Sequence, residues 1–314
     1  MKSLKSIIKQ FIFKTKLYKL NHLRNQFYII PYHMIVDEPN GFYPETSTRD
    51  FERQIAHLAK NYKVMSLDEI VRRVKNRASL RRCVAITFDD GFRDNYVNAY
   101  PILKKYNIPA TIFLTTGYIE SGDPPWFIKV RYIFMKTEKT HLTFSLGGTA
   151  ISLPMRTREQ KLAASDRVLA HLKSCPDDER LPLLDRLCQE LGIHKFEELN
   201  DLMLNWDQIK EMVRNSITFG AHTVNHPVLA RTPINGAEKE ILESKSTIEH
   251  KMAKPVTCFA YPFGKKSTYT RDMFPLLKRV GLECAVTTEL APNTYKTEIF
   301  ALNRPSPSEL SLIC

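Results

Sequence analysis

Val84-Ala85-Ile86-Thr87-Phe88-Asp89-Asp90-Gly91 is an unbroken apolar and β-branched run that ends in two adjacent carboxylates and a glycine. A run of this kind reads as a strand buried on both faces, the type found in parallel α/β sheets. Neighbouring residues at a strand end point to different sides, so Asp89 and Asp90 are free to do different work. A second segment, Gly220-Ala221-His222-Thr223-Val224-Asn225-His226-Pro227, closes another short apolar run with two histidines four apart. Two imidazoles and one carboxylate form a three-ligand set that suits a divalent metal with an open position for water and substrate. The other carboxylate is then left as a base. Alone, Asp-Asp-Gly is usually a turn and a His pair at spacing four often decorates a helix. Their joint occurrence at two strand ends favours metal-assisted hydrolysis of an amide or ester.

Working outward from the first segment, strands and helices alternate. Phe27 to Ile35, containing Tyr32 and His33, reads as a first strand, and Thr48 to Tyr62 as a helix. A short run from Lys63 to Ser66 precedes a helix that begins near Leu67. Arg82 to Phe88 is a strand, Tyr96 to Tyr106 a helix and Ala110 to Leu114 a further buried strand. This rhythm predicts a parallel α/β sheet or barrel whose strand ends carry the site. It lapses from about 119 to 204, where a small hairpin at Ser145 to Ile151 and a helical stretch over 157–191 suggest a mainly helical insertion covering the site. It returns with a helix at Asn205 to Arg214, a strand at Ser216 to Gly220, a helix at Ala237 to Lys251, a strand at Thr257 to Tyr261, a helix at Tyr269 to Val280 and a strand at Cys284 to Thr287.

At 314 residues, 43% hydrophobic and 25% charged, the chain is long enough for one large core with an insertion. Its cysteines, Cys83, Cys175, Cys188, Cys258, Cys284 and Cys314, show no C-x-x-C pair or regular framework, which favours a reducing compartment. The net charge of +12 is uneven: no Asp or Glu occurs before Asp37, while Lys2, Lys5, Lys9, Lys14, Lys16, Lys19 and Arg24 are basic. Leu4, Ile7, Ile8 and Phe11 have helical spacing, so residues 1–25 read as a basic amphipathic segment preceding a catalytic domain over 26–314. Lysines interrupt it too often for a signal-peptide core or a membrane span. The expectation is a cytoplasmic protein with peripheral contact to an anionic inner membrane face; a solvated or core-docked helix is the competing reading. No nucleic-acid motif accompanies the charge.

Thr87-Phe88-Asp89-Asp90-Gly91, His222-Thr223-x-x-His226-Pro227 and Phe259-Ala260-Tyr261-Pro262-Phe263-Gly264, in this order, resemble the three main motifs of the polysaccharide deacetylases, the NodB-like carbohydrate esterases of family four. The resemblance runs from about Tyr32 to Arg304, interrupted by the insertion. It implies a distorted (β/α) barrel and hydrolysis of an N-acetyl group from an amino sugar. It also implies Asp89 as catalytic base and Asp90, His222 and His226 as the ligands of a divalent metal, usually Zn2+. Phe263, with Tyr261 in the same motif, stands where the family's loop meets substrate and a backbone N–H stabilises the oxyanion.

The chain departs from the family pattern twice. Many members orient the base with an arginine where this chain has Ala260; the nearest substitute is Arg304, with a surface arginine as the competing reading. Many use a C-terminal histidine as general acid, and this chain has no histidine after His250. His33, in Tyr32-His33-Met34, resembles the Tyr-His motif of a subgroup and is the candidate acid, against a core histidine. Trp206 and Trp126 could stack on sugar rings or simply pack in the core. Phe92, Arg93, Asp94 and Asn95 are expected at the site mouth. The reading is thus a metal-dependent N-deacetylase of a polysaccharide, oligosaccharide or lipid-linked glycan. The alternatives are a catalytically silent carbohydrate-binding protein on the same scaffold, or a hydrolase of another amide such as a formamide or cyclic imide.

Overall fold

The structure, a computed structural model, describes residues 25–146 and 148–305. The proposed basic helix and Cys314 lie outside the described residues. Strand β1 (Phe27–Tyr32) pairs in parallel along the whole of β5 (Cys83–Phe88), whose six residues are all buried. The start of the opposite edge of β5 is taken by β4 (Lys63–Val64) and its end by β6 (Ala110–Leu114). The sheet continues in parallel through β9 (Ile217–Ala221), β10 (Cys258–Ala260) and β11 (Cys284–Val286). Its two edges are joined by irregular chain: Leu302 bridges to Val286, while Asn293 bridges to Phe27 and exchanges side-chain hydrogen bonds with the backbone of Asn303. The result is a curled, incompletely closed parallel sheet, a distorted barrel.

Helices α1 (Thr48–Asn61) and α2 (Leu67–Lys75) start where Ser47 and Ser66 accept the third backbone N–H of each. Helix α3 (Tyr100–Lys105) follows β5; α7 (Trp206–Val213) precedes β9, with Asn205 and Gln208 forming a reciprocal cap. The remaining outer helices are α8 (Ile234–Met252) and α9 (Met273–Arg279). Their apolar faces share one core with the sheet, which includes Ile86, Phe88, Ile112, Phe219, Ile241 and Leu277. Gly220 permits the tight packing of β6, β9 and β10, since a Cβ there would stand 2.5 Å from the Phe113 ring and 2.9 Å from the Cys258 carbonyl.

The first strand departs from the sequence expectation. Instead of running to Ile35 it stops at Tyr32; after His33 the chain enters β2 (Met34–Val36), which pairs with β3 (Glu45–Ser47) in a separate ribbon. The cause is the end of β5: the last ladder bond is Asp89 N–H to the Tyr32 carbonyl, and beyond it β1 has no partner. The helix expected over Tyr96 to Tyr106 opens with a π-helical turn, Asn95–Ala99. Through that turn Asn95 and Asn98 donate their side-chain amides to the His33 and Ile35 carbonyls, satisfying the broken strand.

Residues 126–191 carry a core of their own, formed by α4 (Trp126–Lys136), an antiparallel hairpin of β7 (His141–Leu146) and β8 (Thr149–Pro154), α5 (Arg158–Leu172) and α6 (Asp177–Leu191). The hairpin is longer than expected. Phe263, from the loop after β10, packs against this second core and so ties it to the ends of the barrel strands. No helix among the described residues is long and apolar enough to cross a membrane.

The turn after β5 gives a stability prediction. Burial pushes the Asp94 carboxyl up to about 7, although the Ile35 N–H and the Asn95 amide pull it down. A carboxyl raised in the folded state binds an extra proton there, so its contribution falls as pH rises from about 4 through 7. Asp94→Asn is expected to raise Tm by a few degrees at pH 8, at roughly 2–4 °C per kcal/mol, and by much less at pH 4. An equal shift at both values would contradict the burial of the charge.

Candidate active site

Asp89 and Asp90 follow the end of β5 and meet different partners, Arg304 for the first and the two histidines for the second. The turn is tight: Asp90 has φ +74° and Gly91 φ +82°, and a Cβ on Gly91 would meet Leu114 at 2.7 Å. His222 follows the end of β9, and Thr223 to His226 form a turn rather than a helix, with Thr223 at φ +68° and His226 at φ +54°. The turn is held from outside. Glu240 of α8 accepts the Val224 and Asn225 N–H groups at 2.8 and 2.9 Å, and the Thr223 hydroxyl accepts the His226 N–H at 3.1 Å. Phe263, after β10, adopts φ +61°. Four non-glycine residues in the left-handed region around one cleft are backbone strain that the surrounding structure sustains.

These turns bring Asp90, His222 and His226 together, all at least 97% buried. Asp90 Oδ1 lies 3.4 Å from the Nε2 of each histidine, and the two Nε2 atoms are 3.2 Å apart. Donors around a tetrahedral ion with bonds of about 2.0–2.1 Å stand about 3.3 Å from one another, so the trio matches one face of such a set. Its chemistry fits as well. His222 Nδ1–H donates to the Ala260 carbonyl at 2.7 Å, which leaves the Nε2 lone pair facing the other two. Asp90 Oδ1 is buried without a hydrogen-bond partner among the described residues.

The two imidazoles have different electrostatics. Burial and the nearby positive groups, among them Lys173 and Arg180, hold His226 well below its ordinary value, keeping it neutral. Burial also pulls His222 down, but close contact with Asp90 and the charges of both carboxylates outweigh it and the group is raised.

Asp89 stands apart from the trio and is gripped by Arg304, which is 1% exposed. The guanidinium donates from both terminal nitrogens, one to each carboxylate oxygen, at 2.7 Å. Its Nε donates to the Thr287 carbonyl and its Nη1 also reaches the Thr87 hydroxyl. Burial pushes the Asp89 carboxyl up, but the Arg304 charge and hydrogen bonds prevail and hold it at about 2. Arg304 comes from irregular chain after the Leu302 bridge, not from a strand of its own. His33, freed by the break after β1, lines the same cleft with Nε2 3.8 Å from Asp89 Oδ2 and its side chain 30% exposed.

The cleft has a volume of about 720 Å³. Phe263 forms part of its wall, with its ring 4.6 Å from that of His226. Gly264 N–H closes a three-residue turn onto the Pro262 carbonyl at 2.7 Å, and the Phe263 N–H has no acceptor among the described residues.

Other sequence candidates lie elsewhere. Tyr261 is 1% exposed, stacks on Tyr269 and donates its hydroxyl to the Phe300 carbonyl, so its side chain belongs to the core rather than to substrate. Trp206 is buried at the start of α7, away from the cleft, where hydrophobic packing claims the ring. Trp126 is buried too, and its indole N–H caps the His226 carbonyl at 3.1 Å. Phe92, Arg93, Asp94 and Asn95 do not line the cleft, because the π-helical turn directs Asn95 to the back of His33 and leaves Phe92 in an apolar cluster with Met34 and Tyr132. Sequence reasoning missed Glu240 and the Ala260 carbonyl, whose contributions arise only when α8 and β10 pack beside the histidine turn.

The polysaccharide deacetylase profile matches residues 76–285, and the chain belongs to that family. YxkH of Bacillus subtilis (strain 168), itself provisionally described as a polysaccharide deacetylase, is 23% identical over 278 residues, covering 88% of this chain and 69% of that one. The poly-beta-1,6-N-acetyl-D-glucosamine N-deacetylase of Staphylococcus aureus (strain MSSA476) is 45% identical over 74 residues, which span 23% of this chain and 26% of that enzyme. Among solved structures, the Streptococcus pyogenes deacetylase PplD in complex with acetate superposes with a TM-score of 0.60 at 21% identity, covering 90% of this chain and 92% of that one. IcaB from Ammonifex degensii gives 0.58 at 18% identity, with 92% and 96% covered. At these identities the two structures share the fold.

Proposed function

We propose that the chain is a metal-dependent hydrolase that removes N-acetyl groups from amino sugars of a glycan or glycolipid. The observation that carries this reading is the division of labour at the end of β5, where Asp90 joins two histidines and Asp89 is held apart as an ionised carboxylate. Asp90, His222 and His226 would hold a divalent ion, Zn2+ being the best match to two imidazoles and a carboxylate. Such an ion supplies an acidified water and polarises the acetamide carbonyl.

The rest is the work of the chain. Asp89, kept ionised by Arg304, accepts the proton of the attacking water. The Phe263 N–H, without an acceptor among the described residues, would stabilise the oxygen that gains charge, worth about 3 kcal/mol for a well-placed donor. His33, near Asp89 and open to the cleft, returns a proton to the departing amine. The deacetylase relatives support an acetamide over a formamide or cyclic imide, and the intact constellation opposes a silent binding module. The acid-free basic segment before Asp37 supports placing the protein on the cytoplasmic side of an anionic membrane.

Acetate release from acetylated chito-oligosaccharides, titrated with Zn2+ after chelation, tests the proposal. Release that rises with metal supports it, and no release under any metal loading discards it. Glu240→Ala, which frees the N–H groups of the histidine turn, is expected to weaken Zn2+ binding by about tenfold in a competition titration. Unchanged affinity would show that the turn holds its shape without Glu240.

A further inference from the structure

Among the described residues four cationic side chains line the cleft, Arg131, Lys173, Arg231 and Lys265, while the only lining carboxylates are Asp89 and Asp90. Neither is available to them: Asp89 is neutralised by Arg304, and Asp90 faces the two histidines. Arg131 is paired with Asp166 at 2.6 Å, and Lys265 donates to the Thr288 carbonyl. Lys173 differs. It caps the end of α5 and is half-buried, with its ammonium 4.2 Å from the centre of the Phe263 ring and with no anionic partner among the described residues.

An aromatic face stabilises a desolvated cation, but by less than its loss of water costs, so an ammonium without a counter-ion is poised to receive an anion. Burial and the neighbouring Arg131 lower the Lys173 pKa, and Asp166, already paired with Arg131, raises it only in part. The position is relevant to the chemistry, because the Phe263 ring that Lys173 covers also packs against His226. Phe42 extends the same trend outward. It walls both this cleft and an adjoining hollow lined by Arg156, Arg158 and Lys161, with no carboxylate among the described residues that line it.

We propose that the amino sugar this cleft accepts carries an anionic group, a phosphate or a carboxylate, held by Lys173 with Arg231 at the rim. The inference rests on the deacetylase reading above and narrows its substrate class. The phosphate arm would correspond to a sugar linked through a phosphoester, and the carboxylate arm to a glycan with an acidic sugar beside the acetylated one. Lysine and arginine recognise both through charge-assisted hydrogen bonds.

The test compares a neutral N-acetylglucosamine trisaccharide with two counterparts, one phosphorylated at the reducing end and one with a uronic acid next to the acetylated sugar. The expected kcat/KM is about tenfold higher for at least one acidic substrate, and the arm with the advantage identifies the group. Lys173→Met should bring that ratio close to one, whereas Lys60→Met on the outer surface of α1 should keep it. Calorimetric binding of inorganic phosphate to the metal-free protein is expected to weaken about tenfold in Lys173→Met and not in Lys60→Met.

Equal or better turnover of the neutral substrate, or an identical ratio in Lys173→Met and wild type, overturns the inference while leaving deacetylation standing. Loss of the ratio in both variants also overturns it, in favour of overall charge. Absence of acetate release from all three substrates sinks the deacetylase reading instead, and the phosphate titration then decides the anion site by itself.

Discussion

Asp89→Asn is expected to lower acetate release by about 10³-fold or more while bound zinc per chain stays at the wild-type level. The size follows from removing a positioned general base, worth typically 10²–10⁴. The separation of effects follows from geometry, since Asp89 is engaged by Arg304 while the trio of Asp90, His222 and His226 is formed without it. Asn keeps the shape and a hydrogen-bonding oxygen for the guanidinium but cannot take a proton from water. His222→Ala should lose both, because it removes one of the three donors and the hydrogen bond to the Ala260 carbonyl. Metal content by elemental analysis beside turnover on one preparation decides the matter; equal metal loss in the two variants would overturn the assignment of separate roles.

Arg304→Met should be the most destabilising single change at the site. Breaking a buried ion pair from one side typically costs about 3–5 kcal/mol, because the remaining charge is left uncompensated. At roughly 2–4 °C per kcal/mol, Tm of the metal-free protein should fall by about 10 °C at neutral pH.

The pH dependence has a definite sign. The folded Asp89 value, about 2, lies below the unfolded value near 3.9, so the pair stabilises above about pH 4 and the benefit is lost as pH falls toward 2. Without Arg304, burial pushes the carboxyl upward, and the variant should be least stable at neutral pH. The gap in Tm between wild type and variant should therefore narrow as pH falls, first as the raised carboxyl of the variant takes up its proton and then, below about pH 4, as the wild-type pair loses its benefit. The double change Arg304→Met with Asp89→Asn should recover much of the loss, because it removes the orphaned charge. A gap that stays constant from pH 7 to pH 3 would show that Arg304 acts through packing alone.

The legible and illegible residues differ in a consistent way. Cys83 to Phe88 could be read as a central strand because burial on both faces demands an uninterrupted apolar run, and the carboxylates and the His pair lie at the ends of such runs. The break at His33 was not legible, since it depends on β5 running out of backbone partners beyond Phe88. Tyr261 and Trp206 misled for a related reason. Aromatic residues carry the same signal whether they stack on a sugar or fill a core, and only the direction of the side chain separates the two. Arg304 was a nominee without support from its surroundings, because its neighbours in sequence, Leu302, Asn303 and Pro305, say nothing about a carboxylate on β5.

The sequence by itself determined the parallel α/β rhythm, the family and the four polar side chains at two strand ends, since periodicity and short motifs are properties of neighbouring residues. Tertiary structure decided which carboxylate meets the histidines, which arginine holds the other, and which cations from the 126–191 segment reach the cleft. Those are contacts between distant parts of the chain. They are fixed by the curl of the sheet and the left-handed turns at its rim, and no local pattern encodes a distance across the barrel.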